Sequence, residues 1–327
     1  MKKLFPVLII ILMLAACSNE QTSDNNDELT IYTTVFPLTS FVEQIAGDTV
    51  SVESIYPPGA DMHSYEPTQK DMMSYSDGDL FMTTSNDLDP VAASIAKTIN
   101  DDTEVVETAA GIDTAAFLEN QHNHEHEHEE DAHEHEEDAH EHEEDAHAHD
   151  HDHGALDPHI WLSPELAAEM AESVKNALAE HNPESADMYN ENFEVLKADI
   201  EKIDTELSKV TADPVNTDVY ISHESIGYLA HQYGFHQIGI SGLNNQEPSQ
   251  QELTEIIENI KAENIPYILY EPNVSSSVTD VIRGETDTEP LYFNNLESLT
   301  QDDPEDATYQ SMMHKNIETL DKALNSK

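Results

Sequence analysis

Positive charge and sulfur chemistry are nearly missing from this chain. Its 327 residues include 13 Lys+Arg against 68 Asp+Glu, for a formal net charge of −55 at pH 7. A field of that sign repels nucleic acid and anionic lipid and draws cations. Cys17 is the single cysteine, so a disulfide framework is excluded and no thiolate cluster exists for a metal. Outside residues 119–153 the chain has no His-Glu-x-x-His, and it lacks a Gly-x-Ser-x-Gly turn and any paired-carboxylate motif of catalytic type. That removes the usual grounds for reading it as a hydrolase. The apolar stretch at 4–14 is too short for an ordinary spanning helix, which needs about 20 residues.

What is present begins with Lys2 and Lys3 ahead of that stretch, and with Leu14-Ala15-Ala16-Cys17 at its end. This arrangement resembles a bacterial lipobox. It implies a signal peptide over 1–16, cleavage before Cys17, lipid on Cys17, and anchoring on the outer face of the cell membrane. The polar residues 17–28 are then a flexible tether.

After the tether, two hydrophobic periods alternate. Strands are expected at 29–35, 50–56, 80–84 and 104–107, with helical stretches between. Leu38, Phe41, Val42 and Ile45 recur at helical spacing, with Gly47 as a stop. Ser163-Pro164 reads as an N-cap followed by proline at the first helical position. Behind Asn182-Pro183, the residues Tyr189, Phe193, Leu196, Ile200, Ile203, Leu207 and Val210 step by four and three. They predict one amphipathic helix of roughly 28 residues, about 42 Å long. Further strands are expected at 219–222, 237–241, 266–271 and 291–294. A capping box opens a helix at Ser249-Gln250-Gln251-Glu252, and a last helix carries Tyr309, Met313, Ile317, Leu320 and Leu324. The chain is long enough for two domains. The alternation predicts two α/β lobes, 29–182 and 212–327, joined by one long helix at 183–211.

Residues 119–153 interrupt the pattern with 16 acidic residues, no Lys or Arg, and no large apolar residue. HEHEEDAHEHEEDAHEHEEDA, from His126 to Ala146, is one heptad written three times. A single alanine per heptad cannot form a coiled-coil seam, and the segment cannot bury a core. We expect a disordered surface insertion. It holds 12 of the 19 histidines: His122, His124, His126, His128, His133, His135, His140, His142, His147, His149, His151 and His153. Histidine-rich tracts bind metal, though a segment that must be ordered to do so binds weakly. A solvated acidic linker is the competing reading.

Of the remaining histidines, three sit in unusual settings. His63 follows a strand in Pro58-Gly59-Ala60-Asp61-Met62-His63-Ser64-Tyr65-Glu66-Pro67. His159 lies in Asp157-Pro158-His159-Ile160-Trp161-Leu162, and His223 in Ser222-His223-Glu224-Ser225 at the carboxyl end of a strand, where α/β folds gather their sites. Neutral imidazoles suit Zn²⁺, Cu²⁺ or Ni²⁺. Coming from both sides of the connector, the three could close one site between the lobes. His181, His231, His236 and His314 are read as ordinary surface or hydrogen-bonded residues. Asp157 reads equally as an imidazole partner or as a turn residue before proline.

The Pro-Gly-Ala-Asp-x-His-x-Tyr-Glu-Pro and Asp-Pro-His-x-Trp-Leu segments, together with His-x-x-x-Gly-Tyr-Leu from His223, resemble the solute-binding lipoproteins of bacterial zinc ABC transporters, of the metal-binding cluster A-I type. Gly239-Ile240-Ser241, Glu247-Pro248-Ser249 and Leu296-Glu297-Ser298-Leu299 extend the resemblance. It runs from about 29 to 324, the insertion excluded, and rests on the order and spacing of the motifs. It implies two lobes joined by a rigid helix, with transported Zn²⁺ held in the cleft by His63, His159 and His223. Glu297 would be the fourth ligand, with Asp280 and Glu271 as weaker choices. In manganese-binding relatives a carboxylate takes the third place, so His223 favours zinc over a manganese-binding homologue. The implied partners are a membrane permease and its ATPase, reached by a lipid-anchored monomer that does not bind nucleic acid. Relatives often carry a His- and acid-rich loop where the insertion falls, which would make it a weak zinc collector. The segment Ser85-Asn86-Asp87-Leu88-Asp89 departs from the family by lacking a glycine and a tryptophan-containing stretch, which leaves the cleft rim open. A cell-surface zinc store or adhesin and a zinc hydrolase are the competing functions.

Overall fold

The computed structural model describes residues 28–99, 102–118, 156–275 and 277–326. The lipobox, nearly all of the tether, and the histidine repeat fall outside these residues.

The first lobe alternates β1 (Leu29–Thr33), α1 (Phe36–Ala46), β2 (Val50–Ser54), α2 (Gln69–Tyr75), β3 (Leu80–Thr83), α3 (Pro90–Ala96) and β4 (Glu104–Glu107). Its four strands are parallel in the order β2-β1-β3-β4. Two helices follow, α4 (Pro164–His181) and α5 (Ala186–Val210). The second lobe holds β5 (Asp218–His223), α6 (Gly227–Tyr233), β6 (His236–Ser241), α7 (Gln250–Glu263), β7 (Tyr267–Tyr270), α8 (Ser277–Glu285), β8 (Glu289–Tyr292) and α9 (Tyr309–Asn325). Its parallel order, β6-β5-β7-β8, repeats that of the first lobe. Both chains of crossovers therefore reverse beside the first strand of the lobe, and side chains at the carboxyl ends of β5 and β7 meet there.

Local chemistry sets the helix starts. Ser163 accepts from Leu166 N at the head of α4, and the Ser249–Glu252 capping box forms as expected. Thr68 with Asp71 and Thr308 with Ser311 cap α2 and α9 in the same way. The connector departs from expectation at its start. Residues Pro183–Ser185 form a separate 3₁₀ turn, and α5 begins at Ala186. Asn182 donates its side chain to the Tyr189 hydroxyl at 3.1 Å, and Ser185 gives α5 no side-chain cap. β8 starts two residues earlier than expected because it is an edge strand, where Pro290 is tolerated.

The apolar stripe of α5, from Tyr189 to Leu207, is buried as its spacing predicts. α5 packs on α1 and α4 of the first lobe and on α9 of the second. The main core consequently runs through both lobes, and a smaller cluster around Tyr220, Ile240, Ile260, Ile268 and Ile282 fills the second lobe beneath α7 and α8. The head of α9 reaches across as well: Tyr309 N donates to Ser40 Oγ, and Gln310 exchanges amide bonds with Gln44. The result is two α/β lobes held by one long helix and a shared core.

Candidate metal centre

Four segments converge in the cleft. His223 is the last residue of β5. His159 stands just ahead of the 3₁₀ turn Ile160–Leu162 that leads into α4. His63 hangs on the loop between β2 and α2, and Glu297 on the loop after β8. One donor atom from each of His63, His159, His223 and Glu297 lies within 4.8 Å of all the others. The Nε2 atoms of His159 and His223 are 3.2 Å apart. Glu297 Oε1 is 3.5 Å from the Nε2 of both His63 and His159. A tetrahedron with metal–ligand bonds of about 2.0–2.1 Å has edges of about 3.3 Å. The cluster therefore has the size of a four-coordinate Zn²⁺ site. His63 Nε2 is buried and, among the described residues, makes no hydrogen bond, which leaves that nitrogen unengaged at the centre of the cluster.

Each of these side chains is aimed by its surroundings. His159 is fully buried, its ring edge-on to Trp161 at 5.5 Å between centroids. Its Nδ1 lies 2.8 Å from Asp157 Oδ1, which also accepts the His159 backbone N–H. Asp157 accepts the Nδ1 proton in that pair, so Nε2 is the nitrogen that faces the cleft. Asp157 thus stands within hydrogen-bond reach of the imidazole, where the first of its two sequence readings would need it. It is seated by a motif whose reason was hidden in the sequence. A Cβ on Gly227 would lie 2.6 Å from Asp157 Oδ2, so only glycine admits the carboxylate there. The Tyr228 hydroxyl donates to Asp157 O and accepts from Leu118 N.

His223 is likewise fully buried, with Nδ1 2.8 Å from Glu271 Oε2. Glu271 thus lies behind His223 and not among the four converging side chains. Asp280 is also elsewhere, on α8 with the Tyr270 hydroxyl and Arg283. Glu297 is aimed by a turn that the sequence did not announce. Leu296 has φ of 63°, an uncommon value for a non-glycine residue. Asn294 Oδ1 and Asn295 Oδ1 accept the backbone N–H groups of Leu296 and Glu297 to hold it. Asn295 Nδ2 and Met62 N then donate to the Glu297 carboxylate.

Electrostatics agree with this placement. Burial works against charge on His159, but hydrogen bonds to Asp157 and Glu297 prevail and push it up to about 10. Burial also opposes ionisation of Glu297, yet the three facing imidazoles hold it well below the usual carboxylate range. Glu271 is lowered too, with His223, Ser225 and Ser222 outweighing its burial. A metal ion takes the place of those imidazole protons, so binding is coupled to proton release. The other histidines stand apart: His181, His236 and His314 pair with Glu104, Asp218 and Glu206 near the surface.

Residues 31–323 match the family described as zinc-uptake complex component A, periplasmic (ZnuA), and the chain belongs to that family. It is 31% identical over 329 residues to the high-affinity zinc uptake system protein ZnuA of Bacillus subtilis, covering 98% of this chain and 97% of that one. It is 30% identical over 330 residues to the zinc-binding lipoprotein AdcA of Streptococcus pneumoniae, covering 98% of this chain but only 60% of AdcA. The chain therefore spans well under the full length of that relative. Among solved structures, the Zn(II)-bound ZnuA-like domain of Streptococcus pneumoniae AdcA aligns with a TM-score of 0.70 and 25% identity, over 91% of this chain and all of that domain.

Proposed function

We propose that this protein captures Zn²⁺ outside the cytoplasm and delivers it to the permease of an ABC transporter for zinc uptake. The observation that carries this reading is the convergence of one donor atom from each of three imidazoles and one carboxylate within 4.8 Å, in the cleft between the lobes. His63, His159, His223 and Glu297 are the proposed ligands, with Asp157 orienting His159. Three imidazoles suit Zn²⁺ better than Mn²⁺. Four protein ligands complete the tetrahedron and leave no position for an activated water, so no catalysis is assigned.

The lobes are taken as 29–182 and 212–327 with the helix between them as the spacer. Cys17 carries the lipid anchor and 17–28 the tether, so a monomer works at the membrane's outer face beside the permease and its ATPase. The twelve histidines of 119–153 serve as weak auxiliary sites that raise the local zinc concentration. Release requires the ligands to be drawn apart or protonated.

A competitive zinc titration of the soluble form beginning at Ser18, with and without 119–153 and with manganese in parallel, tests the reading. One tight zinc equivalent is expected to survive the deletion while weak equivalents disappear. If tight binding leaves with the repeat, the cleft is not the transport site and the protein is a zinc sink.

A further inference from the structure

The buried carboxylate of Glu271 is unused by the ligand set, yet it is more completely engaged than any ligand. It is fully screened from solvent, 3% exposed, directly after β7. The register of the sheet brings it there. β5 pairs with β7 through Ile221↔Leu269, and two residues further along the same register His223 stands beside Glu271 on the same face. Glu271 Oε2 accepts from His223 Nδ1 at 2.8 Å, His223 N at 2.9 Å and Ser222 Oγ at 2.7 Å, and Oε1 accepts from Ser225 Oγ at 2.6 Å. The Ser222 hydroxyl also accepts from Glu271 N at 3.0 Å, which pins the carboxylate to its own backbone.

From this geometry we infer that Glu271 is a positioning residue for metal capture. It holds His223 in the Nδ1–H tautomer, aims Nε2 at the cleft, and makes that nitrogen a stronger donor. A carboxylate on the far nitrogen of a ligating imidazole orients the ring and raises its basicity. Four donors converge on Glu271 and none of them is a cation on a mobile stem, so the carboxylate has no freedom to become a ligand itself. The arrangement matches the Asp157–His159 pair at the same 2.8 Å, reached there by a loop and here by a sheet. Among the described residues no carboxylate is hydrogen-bonded to Nδ1 of His63. The inference rests on the proposed ligand set.

The test compares wild type, Glu271→Gln and Glu271→Asp in the full chain, insertion included. It uses zinc competition against a tight chelator, the visible absorption of bound Co²⁺, and thermal melting. Glu271→Gln keeps the shape and loses the charge. It is expected to weaken the tight zinc equivalent by about 10–100-fold and to change the Co²⁺ absorption, with Glu271→Asp recovering part of the affinity. Wild-type affinity and an unchanged Co²⁺ spectrum in Glu271→Gln, with only melting lowered, would reduce Glu271 to a scaffold residue and overturn the inference. Should Glu271→Gln fail to fold, ¹⁵N-histidine NMR of the zinc-loaded wild type decides. A protected Nδ1–H on His223 supports the inference, and a proton on Nε2 overturns it. If wild type itself shows no tight equivalent, the ligand assignment has failed. If wild type binds and the variants bind equally, this inference alone has failed.

Discussion

His159 and His223 lie on the floor of the cleft, both 0% exposed, each giving Nδ1 to a carboxylate at 2.8 Å. His63 lies at the lip, its side chain 9% exposed, on a loop outside regular structure. The lip loop is held from the opposite lobe. Gly59 N donates to Leu299 O, Ser298 Oγ to Ala60 O, and Asn245 Nδ2 to Asp61 Oδ2, while Asp61 Oδ1 receives His63 N. The difference teaches where preorganisation resides. The floor histidines, as proposed ligands, are fixed by the same bonds that hold the fold, so ordering them would cost little further when metal arrives. His63 depends on a few contacts across the cleft.

The largest expected effect breaks the floor. Structural zinc sites bind with about 10–16 kcal/mol, or roughly 2.5–4 kcal/mol per ligand when shared among four. His159→Ala or His223→Ala should therefore weaken zinc binding by about 100- to 1,000-fold by chelator competition. His63→Ala should cost less than either, and a loss as large as that of the floor variants would erase the distinction between the two sides. A smaller effect sharpens it. Gly227→Ala places a methyl against Asp157 Oδ2 and should turn the His159 ring, weakening zinc by about 10–100-fold. Unchanged affinity there would show that Asp157 tolerates displacement.

The smallest effect concerns a buried carboxylate near the lip whose burial outweighs the nearby His63 imidazole and its hydrogen-bond donors. Asp89 caps α3 through Ala92 N and accepts the Tyr56 hydroxyl, and burial raises its pKa to about 6. An acid raised in the folded state contributes stability below its unfolded pKa and loses it as pH rises through the folded value. Zinc-free wild type should thus lose about 1–2 kcal/mol relative to Asp89→Asn between pH 4 and about 6. Urea unfolding of both proteins across that range checks it, and a difference independent of pH would sink it. Glu271, lowered where Asp89 is raised, shows that burial alone does not decide a carboxylate's charge. The donors around it do.

Much of the architecture was legible in the chain. Buried strand runs, the Ser163 and Ser249 caps and the α5 stripe are local patterns, and local backbone preference and solvent partition determine them. His63, His159, His223 and Glu297 could be selected because each stands in a distinctive motif. Asp157 stayed balanced between two roles and Glu271 was weighed as a ligand, since neither position reveals its spatial neighbour. The reason for Gly227 was equally hidden, because the carboxylate it admits is 70 residues away in sequence.

By itself, then, the amino-acid order determined the alternation of strands and helices, the acidity, the repeat and the residue types able to hold a metal. Only the tertiary structure decided which carboxylate faces the cleft and which stands behind an imidazole. Glu297 is turned inward by Leu296 and two asparagines, and Glu271 is set beside His223 by the pairing of β5 with β7. Those roles follow from distances between segments far apart in the chain, and such distances exist only once both lobes have closed on their shared core.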